Sequence, residues 1–112
     1  MPCYMKNKRS MRISETSEKV FERTASKYVE TVGGMAVKLL SQFINGLPDR
    51  LFLLPHGRVI FVEFKSTGCK PRKIQEVVMR RISDLGFTVL VVGTVNEYEE
   101  LIRLIDDIVK SS

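Results

Sequence analysis

Two carboxylates and an ammonium group, Asp49, Glu63 and Lys65, stand within the stretch Gly46 to Lys65, GLPDRLFLLPHGRVIFVEFK. Its two apolar runs, Leu51 to Leu54 and Val59 to Phe64, flank Pro55-His56-Gly57, which suits a three-residue hairpin loop with Gly57 at the positive-φ position. With that loop Leu54 faces Arg58, and counting outward brings Asp49 directly opposite Glu63. Opposed residues share a face, with Cβ atoms about 4.5–5.5 Å apart. Two carboxylates so close repel each other, and a hard divalent cation between them relieves the repulsion. Lys65 lies two residues past Glu63 and so on the same face. The set suits chemistry on a phosphate ester. A four-residue loop would shift the pairing by one and separate the two carboxylates onto opposite faces.

The hairpin that must position them is apolar on both sides. Leu51, Leu53, Val59 and Phe61 share the face of the carboxylates, while Phe52, Leu54, Ile60, Val62 and Phe64 form the other. A merely solvated charged edge would not carry this pattern, and both faces are expected to be covered.

The 112 residues suit one domain, expected over 13–112 behind a flexible basic arm at 1–12. Hydrophobic residues make up 44% and charged residues 28%, as in soluble globular proteins. No apolar run approaches the roughly 18 residues of a membrane span, no signal peptide is visible, and a cytoplasmic protein is expected. Cys3 and Cys69 indicate neither a zinc site nor a disulfide framework and read as buried or incidental thiols. Residues 1–95 hold 16 Lys and Arg against 8 Asp and Glu, whereas residues 96–112 hold 2 against 5. A positive field around a carboxylate pair favours a polyanion such as nucleic acid.

Around the hairpin, a helix is predicted from Ser14, with Ser14, Thr16 and Ser17 as candidate caps, to about Val32, where Gly33-Gly34 stop it. Phe21, Ala25, Tyr28, Val29 and Val32 make its apolar stripe, and Glu18 lies in the middle of it, which is costly unless Glu18 belongs to the site. Glu22, at the border, reads as solvated. Met35 to Phe43 reads as a strand in which Lys38 is either an edge residue or a phosphate contact. After the hairpin, a helix from Pro71 to about Leu85 presents Ile74, Val77, Val78, Ile82 and Leu85 on one face, with Gln75 able to reach the strand ends. Lys70, Arg72 and Lys73 form a basic mouth there, or a solvated charge run. Phe87 to Val92 reads as a central buried strand, and Asn96 and Glu99 as a capping box for a last helix from Glu97 to Lys110. The order helix, three antiparallel strands, helix, strand, helix predicts an α/β fold, a mixed sheet flanked by helices.

The run GLPDR, then FVEFK, then Gln75 in the following helix, preceded by Glu18 and by VGGMAVK, closely resembles the VRR-NUC domain of the PD-(D/E)XK nuclease superfamily, with its restriction-endonuclease-like fold. The resemblance covers roughly Glu18 to the C-terminus. It implies that Asp49, Glu63, the Phe64 carbonyl and Glu18 hold Mg²⁺ or Mn²⁺, that Lys65 acts on the attacking water or on phosphate charge, and that Gln75 orients its neighbours. Lys38, Lys70, Arg72 and Lys73 are the expected DNA contacts. A metal-dependent DNA endonuclease similar to Holliday-junction resolvases, acting on four-way junctions as a homodimer, is the expectation. The alternative is a nucleic-acid-binding subunit whose nuclease site is silent or partner-dependent.

Overall fold

The structure, a computed structural model, describes residues 17–40 and 43–111. Helix α1 (Ser17–Thr31) leads into strand β1 (Met35–Lys38), then β2 (Arg50–Leu54), a 3₁₀ turn (Pro55–Gly57) and β3 (Arg58–Phe64). Helix α2 (Lys73–Asp84), strand β4 (Thr88–Val92) and helix α3 (Val95–Lys110) complete the chain. The sheet order is β1-β2-β3-β4, antiparallel except for the parallel β3/β4 pair. This is the predicted α/β fold with its mixed sheet. The expected arm at 1–12 and the candidate caps Ser14 and Thr16 lie outside the described residues.

One face of the sheet carries the main core. Phe52, Ile60, Val62 and Phe64 are fully buried there against Ala25 and Val29 of α1 and Leu101 and Ile105 of α3. The two helices are also joined to each other: Phe21 stacks on Tyr98 with centroids 5.5 Å apart, and the Tyr28 hydroxyl donates to Asp106. Gly33 and Gly34 stop α1 as expected, through the paired bonds of a Schellman end, from Gly34 N–H to the Val29 carbonyl (2.9 Å) and from Gly33 N–H to the Glu30 carbonyl (3.2 Å).

Several expectations need correction. β1 ends at Lys38 rather than Phe43, because β2, its pairing partner, begins at Arg50 opposite Lys38. β4 is an edge strand, not a central one, since it pairs with β3 alone among the described residues; helices above and below it account for its apolar run. The buried residues of α2 are Gln75 and Met79; of the expected stripe Val78 and Ile82 are half-buried, while Ile74, Val77 (56% exposed) and Leu85 (77%) are exposed, so the helix is partly rotated from its expected orientation, with Gln75 turned in to bond Glu63. The α3 cap is Thr94, whose Oγ1 accepts from Glu97 N–H (3.1 Å) while Glu97 accepts from Gly93 N–H (2.9 Å), two residues before the expected Asn96 and Glu99. The core face of the hairpin is closed, whereas the other is covered only in part: Leu51, Val59 and Phe61 are half-buried and Leu53 is exposed. Cys69 is disulfide-bonded rather than an incidental thiol, a pairing that sequence spacing alone does not reveal.

A Cβ added at Gly34 would meet the Leu53 carbonyl oxygen at 2.5 Å and Val29 Cγ1 at 2.9 Å, whereas one at Gly57 (φ +71) would meet nothing within 4 Å. Gly34→Ala should therefore lower stability by about 1–3 kcal/mol through overpacking. Gly57→Ala carries only the backbone penalty, about 1–2 kcal/mol. Chemical denaturation of both variants checks the ordering; a Gly34→Ala protein as stable as the parent would refute the close approach of α1's end to β2.

Candidate active site

The hairpin has the register its loop predicts, with Leu54 opposite Arg58 and Arg50 opposite Val62. Gly57 has the expected positive φ of 71°, and His56 shares that conformation at 69°. Histidine is among the residues that tolerate it better, and here its ring contacts the Val109 carbonyl of α3 at 3.3 Å. One position beyond Arg50 and Val62, Asp49 and Glu63 face each other at the open end of the hairpin. Asp49 Oδ2 accepts from the Phe64 N–H at 2.9 Å, and the Asp49 carbonyl accepts from Leu39 N–H at 2.9 Å. The aspartate is thus fixed at both its side chain and its main chain.

Glu63 is only 1% exposed. Its Oε2 takes two donors, Lys65 Nζ at 2.9 Å and Gln75 Nε2 at 2.8 Å. Its Oε1 is buried with no hydrogen-bond partner. Gln75 is itself held, because its Oε1 accepts from Arg72 N–H at the start of α2 (3.0 Å), which fixes which end of the amide faces Glu63. The expected reach of Gln75 to the strand ends is therefore present. Lys65 is anchored by its N–H to the Val92 carbonyl (2.8 Å), an extension of the β3/β4 pairing.

Glu18 arrives from α1. The first turn is tied to the loop after β3 by Ser17 Oγ, which accepts from Thr67 N–H at 3.2 Å. Burial pushes the Glu18 carboxyl above its usual range and the Asp49 charge adds to this, against the pull of Lys65. Asp49 is raised by burial too, with the Phe64 N–H opposing, and Glu63 by burial and by Asp49, with Lys65 opposing. All three carboxylates are thus close enough to sense one another.

Among the described residues no three His, Cys, Asp or Glu side chains stand together as a ligand cluster. A divalent cation is nonetheless accommodated by the chemistry of the donors. The orphaned Glu63 Oε1 and the facing Asp49 carboxylate are hard oxygens, and Mg²⁺ needs only one or two carboxylates beside other oxygen ligands. Glu18 contributes charge nearby.

Sequence reasoning missed Glu22 and Arg50. Rather than being solvated, Glu22 Oε2 accepts from Arg50 Nε at 2.8 Å and Lys38 Nζ at 3.0 Å, bridging α1 to β1 and β2. Burial works to raise the Glu22 carboxyl, but the Lys38 and Arg50 hydrogen bonds outweigh it and leave the pKa below the usual value. Lys38 and Arg50 face each other across β1 and β2, a pairing the register would have exposed had β1 been aligned. Lys70, Arg72 and Lys73 are exposed at the start of α2, on the other side of Gln75.

A mixed sheet that presents Asp49, Glu63 and Lys65 where one hairpin opens, with Gln75 and Glu18 brought in by flanking helices, is the arrangement of a PD-(D/E)XK nuclease fold. Comparison with known proteins agrees. The chain is 40% identical over 77 residues to "Putative nuclease p44" of Acyrthosiphon pisum secondary endosymbiont phage 1, covering 69% of this chain and 83% of that protein. A solved structure described as a VRR_NUC domain superposes with a TM-score of 0.71 at 34% identity, covering 79% of this chain and 96% of that one. No family model matches. The chain belongs to the VRR-NUC family of nucleases.

The raised carboxyls set a pH dependence for the metal-free protein. A carboxyl raised in the folded state favours folding below its ordinary value, near 4.5 for Glu18 and Glu63 and 3.8 for Asp49, and that contribution is lost as pH rises through the folded value. Glu22 is lowered, so its contribution is present above 4.5 and lost as pH falls through the folded value. In EDTA, melting temperature should rise as pH falls from neutral toward the ordinary carboxylate range, then drop at more acid pH. Asp49→Asn, which keeps an acceptor for Phe64 N–H, should melt a few degrees higher than the parent at pH 7 and show a shallower rise. An identical profile for parent and variant would contradict the mutual repulsion.

Proposed function

We propose that the chain is a divalent-metal-dependent DNA endonuclease that hydrolyses phosphodiester bonds, selects branched DNA as Holliday-junction resolvases do, and works as a homodimer. The observation that carries the metal requirement is the buried, partnerless Oε1 of Glu63 opposite Asp49, with Lys65 beside it. Asp49, Glu63 and the Phe64 carbonyl, with Glu18 near by, would hold Mg²⁺ or Mn²⁺, which would supply Lewis-acid polarisation of the phosphoryl oxygen and easier ionisation of water.

The side chains do the rest. Lys65 is held as an ammonium group in an ion pair with Glu63, which suits a donor that steadies charge on the phosphate rather than a base. Gln75 and Lys65 keep Glu63 Oε2 occupied, which leaves Oε1 as the oxygen for a cation. No helix among the described residues is long and apolar enough to cross a membrane. Symmetric cuts in two strands call for two sites, which a two-fold dimer supplies most simply. Exposed apolar side chains on α2 and at Phe87 support association.

With Mg²⁺ or Mn²⁺, the protein should cut a labelled four-way junction at symmetric positions in preference to linear duplex, and EDTA should stop it. Asp49→Ala, Glu63→Ala and Lys65→Ala should each lose about 10²-fold or more in rate while remaining folded. Full activity in Glu63→Ala would refute the site, and binding without cutting under either metal would favour the silent-subunit reading. Independently of activity, either metal should raise the melting temperature of the parent but not of Glu63→Ala. Light scattering at micromolar concentration should give a dimer mass; a monomer with and without DNA would remove that part.

A further inference from the structure

The α1 flank of the site carries a feature the chemistry does not use. A trench of about 450 Å³ runs beside the helix, lined by Lys19, Arg23 and Lys27 of α1, Lys38 of β1 and Arg50 of β2, with Glu22 the one carboxylate among its lining residues. Lys19, Arg23 and Lys27 are four residues apart, so they follow one another along a single helix face at steps of about 6 Å. Arg50 and Lys38 stand across from them, fixed through Glu22. Bonding through Nε leaves the remaining N–H groups of the Arg50 fork for further acceptors, one of them reaching the Ala36 carbonyl at 3.4 Å. The lining also includes Ser26, whose hydroxyl has no hydrogen-bond partner.

The trench borders the carboxylate site. Glu22 lies one turn past Glu18 and its charge reaches it, and the charges of Glu22 and Lys38 reach Asp49. Its cations are strung in line instead of converging on a point, which fits a linear polyanion better than a single small anion. A strand crossing Asp49 and Glu63 meets three carboxylates that repel its phosphates away from the metal position, so cations on the approach must hold it. Lys70, Arg72 and Lys73 are exposed around the start of α2 and are not part of the trench's lining.

We propose that this trench binds the phosphodiester backbone of the DNA strand on one side of the cleaved bond, with successive phosphates against Lys19, Arg23 and Lys27. The proposal rests on the nuclease reading and adds the path of the strand. The test is the double variant Arg23→Ala/Lys27→Ala against a control that removes two exposed cations from α3, Arg103→Ala/Lys110→Ala. Binding of a labelled duplex is followed by fluorescence anisotropy in EDTA across a series of salt concentrations, with melting curves to show that each protein is folded. If the alanine pair does not fold, Arg23→Gln/Lys27→Gln keeps the aliphatic stems and replaces it.

The trench variant should bind about tenfold or more weakly, and the slope of log K against log salt should shrink by about 1.8, the share of two phosphates. The control should bind like the parent. Parental affinity and slope in the trench variant, or an equal loss in the control, would overturn the proposal. If the parent cuts DNA with metal while the trench variant binds normally, the trench falls and the nuclease reading stands; a parent that neither binds nor cuts removes both.

Discussion

A one-residue slip between β2 and β3 would turn Glu63 away from Asp49 and dismantle the site, so the register of this hairpin is the constraint on which the rest depends. Three features hold it. The core face buries Phe52, Ile60, Val62 and Phe64, and a slip would expose all four. The loop admits a three-residue reversal because Gly57 and His56 take positive φ, and α3 steadies His56 from below. Asp49 adds its own link beyond the end of β2, accepting the Phe64 N–H that the diverging backbone leaves open.

The register in turn creates an electrostatic problem. Glu18, Asp49 and Glu63 are gathered where burial raises every one of them and the Asp49 charge raises Glu18 and Glu63 further, with the Lys65 ammonium group opposing at all three. An uncompensated arrangement of this kind costs stability. The surrounding structure compensates only in part: Gln75 and Lys65 both bond Glu63 Oε2, and Oε1 is left with nothing. Incomplete satisfaction is where a structural carboxylate pair and a functional one differ. A structural pair would have closed the last oxygen with a backbone donor, as Asp49 Oδ2 is closed by Phe64.

The hairpin was legible in the sequence because its signals were local: alternation, a glycine loop, and a count outward that needs no tertiary knowledge. Gln75 was legible for the same reason, since first-turn position limits where its amide can reach. What was not legible depended on which way a helix turns once it docks. The apolar stripe of α2 pointed to Ile74, Val77, Val78, Ile82 and Leu85; Val78 and Ile82 are half-buried, yet the buried positions are Gln75, bonded to Glu63, and Met79, while Ile74, Val77 and Leu85 are exposed. β4 misled in a similar way, because an edge strand covered by helices on both faces reads like a central one. Glu22 was assigned to solvent since its partners, Lys38 and Arg50, come from two other elements and meet it only when β1 and β2 pair beneath α1.

Helix α1 therefore has two duties that oppose each other electrically. Its first turn delivers Glu18 to the carboxylate site, while Lys19 and the turns that follow line a wall of cations. A helix can keep these apart because successive residues are turned by about 100° around its axis, so that Glu18 and Lys19, adjacent in the chain, point to different sides. Glu22 sits between the two regions. By pairing with Lys38 and Arg50 it keeps their charge from reaching Glu18 and Asp49 in full, while it pins them in the wall. Its position on the border of the helix stripe, which made it look incidental, is what lets one helix serve a negative site at its start and a positive surface beyond it.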